Sequence, residues 1–238
     1  MTTITSPVAA PAVSEPDLNR TARVTGLWYL GLALTGLLGF LLVRNQLYVA
    51  DDAAATLANL QEHEWLARGG VLMEMGVVAT QAMAALWFFR LFRGVDSFAA
   101  GALAAFGLVN AVTILGSAAA LGTALDVAGD ASLAPGGDAA ATVQLMYVAS
   151  GQLWGVGALF FGLWLIPMGW LALRSHWLPR ALGWLLMAGG AGYVLSAFAT
   201  YLFPDADTAT SLLTAPATIG EFWILGHLIL FGVRGRTR

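Results

Sequence analysis

Two glutamates stand inside long apolar stretches of the sequence, where an ionised side chain is costly to place. Glu74 lies within "VLMEMGVVATQAMAALWFF" (71–89), and Glu221 lies within "TIGEFWILGHLILFGV" (218–233). An intramembrane carboxyl group must be paired, protonated or next to a wet cavity, and such residues commonly mark functional sites. The chemistry open to both is proton transfer, as catalytic general acids or as the proton-loading sites of a carrier.

The position of each glutamate within its stretch predicts that the two share a depth. Each stands about four or five residues inside, which places it roughly 6–8 Å below the membrane surface at 1.5 Å per residue. Arg44 and Arg68, at the ends of neighbouring stretches, are the expected cationic partners. Two interpretations stay open: an outward-facing polar pocket, or a structural ion pair that holds helices together.

Other polar and aromatic side chains extend this cluster as candidate substrate-binding residues. Gln81 follows Glu74 by seven residues and therefore shares its helix face. Gln144 begins another stretch at a similar depth. The third, fourth and fifth stretches supply the rest of the candidate set, which is Asn110, Gln152, Trp154 and Tyr193. Serine and threonine residues on the same faces are expected mainly to form hydrogen bonds between helices.

Two further features are interpreted as structural. His227 follows Glu221 by six residues, which turns it about 600° around a helix and places it about 9 Å deeper, so the pair is not a simple dyad. We interpret His227 as a hydrogen-bonded core histidine. The motif "DVAGD" (126–130) has the spacing of a metal–diphosphate motif but stands alone in a loop, so we interpret it as solvated.

Composition places these residues in a membrane protein and excludes several kinds of site. The chain has 238 residues, of which 58% are hydrophobic and 11% charged, and its mean hydropathy is +0.75. These values are not those of a soluble domain. The absence of cysteine and lysine excludes disulfides, thiolate metal sites and Schiff bases. The three histidines argue against a bis-histidine haem. No metal, cofactor or nucleic-acid partner is expected.

Six apolar stretches approach or exceed the length needed to span a bilayer. They cover about 24–43, 71–89, 98–121, 143–173, 181–203 and 217–233. The predicted fold is therefore all-α, with one six-helix transmembrane domain (21–236) after a disordered tail (1–20). The segment "DDAAATLANLQEHEWLARGG" (51–70) has an Asp N-cap signal and a Gly-Gly stop, which predict a short amphipathic helix in an outer loop. We expect a kink or tilt around Pro167.

The distribution of arginine predicts the orientation of the chain. One side carries nine of the eleven arginines, namely Arg20, Arg23, Arg90, Arg93, Arg174, Arg180, Arg234, Arg236 and Arg238. Because cytoplasmic loops carry the excess of positive charge, both termini of this multi-pass protein are expected in the cytoplasm, with the spans in the plasma membrane. No P-loop or dinucleotide fingerprint is present, so we expect function within the membrane or at its outer face.

Five motifs follow one another along the chain: "RVTGLWYLGLALTG", "DDAAATLANL", "FFGLWLIPMGWLALRSHWLPR", "PRALGWLLMAGGAGYVLSAFATYLFP" and "LLTAPATIGEFWIL". Together they resemble a bacterial integral-membrane family known as domain of unknown function DUF4386. The resemblance covers roughly residues 20–235. It implies the six-span fold and no agreed activity.

The resemblance also bears on individual residues. Family members carry an acid six residues after the loop arginine, here Glu74 after Arg68, and the acid of the "IGE" motif, here Glu221. Many relatives have a second acid near Gln81 and a histidine where Trp164 stands. Both are absent from this sequence, which puts a three-acid or histidine-dependent chemistry in doubt.

Three functions are consistent with the sequence. The first is an intramembrane lyase, isomerase or cyclase that uses a glutamate general acid on a lipid-like or isoprenoid-like substrate, by analogy with small membrane terpene cyclases. The second is a proton-coupled carrier of a small amphiphile, which with six spans would need to form a homo-oligomer. The third is a binding, sensory or accessory subunit without turnover. A pocket closed to the cytoplasm would favour the enzyme, and a polar path to the cytoplasm would favour the carrier.

Overall fold

The computed structural model describes residues 15–203, 205 and 207–233, and within them the chain forms seven helices and no β-strand. Helix α1 (Glu15–Leu37) continues through a π-helical segment (Leu38–Arg44) and a short α-helical turn (Asn45–Leu47). The other helices are α2 (Ala53–Glu62), α3 (Glu64–Phe92), α4 (Ser97–Gly129), α5 (Ala139–Ser175), α6 (Arg180–Leu202) and α7 (Asp207–Leu230). Helices α1 and α3 to α7 are long and apolar enough to cross a membrane. This result confirms the predicted all-α fold with six spans.

The six long helices form a ring. Each packs against its neighbour along the chain, and α1 also packs against α7, which closes the ring. Several contacts are close because a glycine leaves room for the neighbouring backbone. On α6, Gly190 packs against the carbonyl oxygen of Gly162, and Gly192 packs against that of Leu213. Small residues at such positions let membrane helices approach closely.

The bundle has two different ends. One end carries α2 and is called here the α2 end. The other is called the arginine-rich end, after Arg20, Arg23, Arg90, Arg93, Arg174 and Arg180. A buried aromatic cluster fills the bundle toward the arginine-rich end, where Phe88 contacts Phe92 and Trp164. All three side chains are fully buried, so the bundle is tightly packed there.

The first helix begins earlier than expected. Residues 15–20 were predicted to belong to the tail, but α1 begins at Glu15. Leu18 packs against the core, and the side-chain oxygen of Asn19 accepts a hydrogen bond of 3.2 Å from the backbone N–H of Val233. These contacts tie the start of α1 to the end of α7. Residues 1–14 and the C-terminal arginines Arg234, Arg236 and Arg238 lie outside the described residues.

A short helix does form between the first two spans, but its predicted end was wrong. Helix α2 begins after Asp52, whose carboxylate accepts a hydrogen bond of 2.8 Å from the N–H of Ala55. It ends at Glu62, and α3 then runs through Gly69 and Gly70 without a break. Gly70 packs against Val43 of α1. This glycine therefore serves helix packing rather than helix termination, and α3 begins before the apolar stretch.

Candidate functional site

The described part of the bundle contains a cavity of about 420 Å³ between α1 and α7. This volume is within the range of about 300–1,000 Å³ that is common for small-molecule sites. All six long helices contribute to its walls. The lining residues are Tyr29, Leu32, Ala33, Gly36, Leu37, Phe40, Val77, Gln81, Asn110, Trp154, Phe161, Tyr193, Thr218, Glu221, Phe222 and Leu225. We call this space the lateral cavity.

The lateral cavity opens sideways, where lipid would surround the bundle. Near the arginine-rich end α1 and α7 touch, because Gly26 lets α7 pack directly against α1. Toward the α2 end, the continuation of α1 packs against α5 instead, and the ring centroids of Phe40 and Trp154 are 5.6 Å apart there. Helix α7 packs against α6 instead. The rim is consequently exposed, and Phe222 retains 59% of its accessible surface.

The acidic group of the lateral cavity is Glu221. Its Oε1 accepts a hydrogen bond from the hydroxyl of Tyr29, which is buried on α1. The pair joins α1 to α7 across the wall of the cavity. Glu221 is the one formally charged residue among the described residues of the lining, so it is the strongest acid that they offer to a bound molecule.

A pair of buried amides lies in the wall contributed by α3 and α4. The Nδ2 of Asn110 donates a hydrogen bond of 2.9 Å to the Oε1 of Gln81. Gln81 is 1% exposed, and its Nε2 has no hydrogen-bond partner among the described residues. A buried donor without a partner is uncommon in folded proteins and calls for an explanation. Gln81 and Asn110 both line the lateral cavity, as Glu221 does.

Aromatic rings make up much of the remaining wall. Tyr193 packs edge to face against Phe161 with ring centroids 5.1 Å apart. Together with the rings of Trp154, Phe40, Tyr29 and Phe222 they surround a largely apolar space. Aromatic faces carry negative potential, so such walls accept apolar chains and also stabilise a positive charge within about 6 Å.

Glu74 does not line the lateral cavity. It is 6% exposed, and its Oε1 accepts a hydrogen bond of 3.0 Å from the Nε1 of Trp154. Its Oε2 has no partner among the described residues. It borders a separate void of about 10 Å³, which Arg44 also lines. That void is close to the size of one water molecule. Glu74 therefore contacts Trp154, which lines the lateral cavity, without lining that cavity itself.

The two glutamates do not share a depth either. Gly39 of α1 packs against Met73, the neighbour of Glu74, while Gly26 packs against α7 two turns beyond Glu221. Counted along α1, these contacts place Glu221 about one helical turn, roughly 6 Å, closer to the arginine-rich end. The prediction of equal depth fails because α3 and α7 extend by different lengths beyond their apolar stretches.

The arginines predicted as partners are bonded elsewhere. Arg44 donates hydrogen bonds to the Oγ of Ser150 at 2.9 Å and to the carbonyl oxygen of Tyr147 at 2.8 Å. Its guanidinium also lies over the ring of Tyr48, 5.6 Å from the centroid. The π-helical segment before it changes the rotational register of α1. Arg44 lies near Glu74 but forms no ion pair within the described residues.

Arg68 lies away from both intramembrane carboxyl groups. Its Nη2 lies 2.6 Å from the Oε1 of Glu64, and both side chains are about half exposed. Helix α3 begins at Glu64 rather than near residue 71, so Arg68 has an acidic neighbour one turn before it. The expectation that Arg68 neutralises an intramembrane glutamate is therefore corrected to a surface ion pair.

The remaining candidates lie outside the lateral cavity. The Nε2 of Gln144 donates to the carbonyl oxygen of Val49 at 3.2 Å. Gln152 is exposed and accepts a hydrogen bond of 2.8 Å from the hydroxyl of Tyr201. His227 is half-buried near the end of α7, with its ring 5.3 Å from that of Phe231. Of the predicted set, Gln81, Asn110, Trp154, Tyr193 and Glu221 come together around one space.

Tyr29 is the site residue that the sequence analysis did not find. It stands among apolar residues in "RVTGLWYLGLALTG", and its ring is 6.0 Å from that of Trp164. Its one signal was a phenol inside a predicted span, since a buried tyrosine hydroxyl usually finds a hydrogen-bond partner. Arginine and histidine are the usual partners of a carboxyl group in a sequence pattern, so a tyrosine on another helix was not predicted as the partner of Glu221.

The fold and the site define a class of protein. It is an all-α membrane protein with six spans around a cavity that opens between α1 and α7. A family model, the domain of unknown function DUF4386, matches residues 24–232, so the chain belongs to that family. A search of curated proteins found no match, and neither did a search of solved structures.

Proposed function

We propose that this protein is an intramembrane acid–base enzyme that acts on a lipid-like or isoprenoid-like molecule held in the lateral cavity. The observation that carries the proposal is the position of Glu221, whose carboxyl group accepts the Tyr29 hydroxyl on the wall of an aromatic cavity. Toward the arginine-rich end, the fully buried Phe88 and Trp164 fill the bundle. A substrate would therefore enter from the side and keep its reactive end near Glu221.

The proposed chemistry needs one carboxyl group and balances without a cofactor. Protonated Glu221 donates its proton to a double bond of the substrate, and a carbocation forms. The aromatic walls stabilise that cation, and the Tyr29 hydroxyl stabilises the new carboxylate by a charge-assisted hydrogen bond. The carboxylate then removes a proton from a carbon next to the cationic centre. The net result is an isomerisation, or a cyclisation if the cation first reacts with a second double bond.

Glu74 has a different part in this proposal. It holds the indole of Trp154 by the Nε1 hydrogen bond and so fixes one wall of the lateral cavity. Its acid–base chemistry is separated from the substrate by that same ring. Glu74 is thus proposed as a positioning residue, and Arg44 as part of the packing between α1 and α5, rather than as groups that touch the substrate.

We infer that the lateral cavity opens toward the outer leaflet of the plasma membrane. The described arginines Arg20, Arg23, Arg90, Arg93, Arg174 and Arg180 support a cytoplasmic arginine-rich end by the positive-inside rule. Both termini would then be cytoplasmic, and the α2 end would face outward.

A proton-coupled carrier is the second candidate, because a single intramembrane carboxyl group in an open cavity could also load a proton. It is less well supported by the packing. A carrier needs a route to the other side, but tightly packed side chains such as Phe88, Trp164 and Met168 fill the bundle toward the arginine-rich end. Gln152, which was expected to extend a polar path, lies on the exposed face.

The experiment uses the full chain in lipid nanodiscs, incubated in D₂O with a lipid extract of the host cells. An acid–base enzyme of this kind leaves deuterium on a carbon of its substrate, which mass spectrometry detects. Deuterium incorporation is expected with the wild-type protein and with the surface control Glu64→Gln, but not with Glu221→Gln. If the wild type retains a lipid without incorporating deuterium, the protein binds without turnover. Glu221-dependent proton flux in liposomes without such incorporation would indicate the carrier.

A further inference from the structure

We propose that the lateral cavity recognises the hydroxyl group of a lipid alcohol through Gln81, with Asn110 as its positioning residue. This inference rests on the proposed function for the presence of a lipid-like occupant, and it adds the chemical class of that occupant. The observation behind it is a built polar site of two buried amides and one carboxyl group in a largely apolar wall that also contains the hydroxyls of Tyr29, Tyr193 and Thr218.

The amide pair leaves one group of Gln81 for a ligand. Asn110 donates to the Oε1 of Gln81, so the carboxamide is held from one side and its Nε2 remains without a partner. Gln81 and Asn110 are buried residues of the cavity wall, so bulk water outside the bundle does not satisfy this donor. A buried donor left unpaired is destabilising. An oxygen atom of a molecule in the lateral cavity would remove that cost.

The charges of the lining residues narrow the chemical class of the ligand further. The described residues that line the lateral cavity include no arginine, lysine or histidine, and Glu221 is the one acid among them. A phosphate or carboxylate would have no cation to pair with and would lie in the same cavity as Glu221. An ammonium group could pair with Glu221, but it offers no acceptor to Gln81. The polar group that suits both is therefore neutral.

A hydroxyl group fits better than a carbonyl because it both donates and accepts. In the proposed complex it accepts from the Nε2 of Gln81, and its own proton remains available to an acceptor such as the carboxyl group of Glu221, which also accepts from Tyr29. The direction of an amide pair is assigned from its hydrogen bonds. If both amides were turned, the unpaired atom of Gln81 would be its oxygen, and a hydroxyl would still satisfy it by donating. A carbonyl would not.

The test compares molecules that share one apolar chain and differ at the end. Farnesol, farnesal, farnesyl amine, farnesyl phosphate and the hydrocarbon farnesene are titrated into nanodiscs holding the full chain, and binding is expressed per mole fraction in the bilayer. Farnesol is expected to bind most tightly. Gln81→Met is expected to weaken farnesol binding about tenfold, the value of one neutral hydrogen bond, and to leave farnesene binding unchanged. The matched control is Gln152→Met, on the exposed face.

Each outcome of this test either supports or overturns the inference. Equal binding of farnesol and farnesene to the wild type, or tighter binding of the amine, the phosphate or the aldehyde, overturns the inference even if Glu221-dependent deuterium incorporation stands. Farnesol selectivity without deuterium incorporation supports the inference and overturns the enzyme. If Gln81→Met does not fold because Asn110 loses its partner, the double variant Gln81→Met/Asn110→Leu removes both amides and is held to the same expectation. The comparison of the five compounds on the wild-type protein tests the inference independently of either variant.

Discussion

Glu74 and Glu221 are the same residue type in similar apolar stretches, yet the structure gives them different surroundings. Glu221 faces a space of about 420 Å³ and accepts a hydrogen bond from Tyr29. Glu74 borders a void of about 10 Å³ and accepts a hydrogen bond from Trp154. The difference shows that burial alone does not make an intramembrane acid available for chemistry. What decides is whether a ligand-sized space adjoins the carboxyl group.

The largest expected effect is on catalysis. Replacing a general acid typically costs about 10²–10⁴-fold in rate, so Glu221→Gln is expected to reduce deuterium incorporation by that factor. Glu74→Gln is expected to remain near the wild-type rate, because a glutamine oxygen still accepts the indole N–H of Trp154. The rates are measured by mass spectrometry in nanodiscs. Equal losses in the two variants would mean that the glutamates act as one site.

A large effect on stability is expected at the other carboxyl group. Glu74→Leu leaves the Trp154 indole N–H unpaired and is expected to cost about 1–3 kcal/mol of unfolding free energy. In the double variant Glu74→Leu/Trp154→Phe that donor is absent, so the two losses should not add, with a coupling of about 0.5–3 kcal/mol. Reversible unfolding in mixed micelles measures each value. Additive losses would show that Glu74 does not support Trp154.

The third effect is smaller and concerns the partner of Glu221. Tyr29→Phe removes a hydroxyl donor and keeps the ring, so we expect a rate reduction of up to about tenfold, the value of one hydrogen bond. The control is Tyr201→Phe, which removes a hydroxyl that bonds to Gln152 on the exposed face. A wild-type rate in Tyr29→Phe would indicate that the phenol does not assist the carboxylate. A loss in both variants would indicate a general effect on the bundle.

The sequence predicted the fold more accurately than it predicted the contacts between side chains. Hydropathy predicts the six spans because each must cross a layer of known thickness. It does not report how far a helix continues past that layer, so the start of α3 at Glu64 and the pairing of Arg68 were missed. Partners across helices depend on rotation and register. That dependence is why Tyr29 and Trp154 could not be assigned to their glutamates in advance.

The smallest effect comes from an acid outside the spans, which serves as a reference for the two glutamates within them. Asp96 caps α4, and its hydrogen bond from the N–H of Ala99, with a smaller contribution from Arg174, holds its pKa below the usual value. A carboxyl group with a lowered pKa adds stability above its unfolded-state pKa of about 3.9, and that stability is lost as pH falls through the folded-state value.

Asp96→Asn tests the contribution of the charge, because asparagine can still cap α4 but carries no charge. The melting temperature of the wild type is expected to exceed that of Asp96→Asn slightly near neutral pH, since the side chain is partly exposed and solvent weakens its interactions. The gap should close as the pH is lowered past about 3.9. A gap that persists at low pH would assign the stabilisation to hydrogen-bond geometry rather than charge.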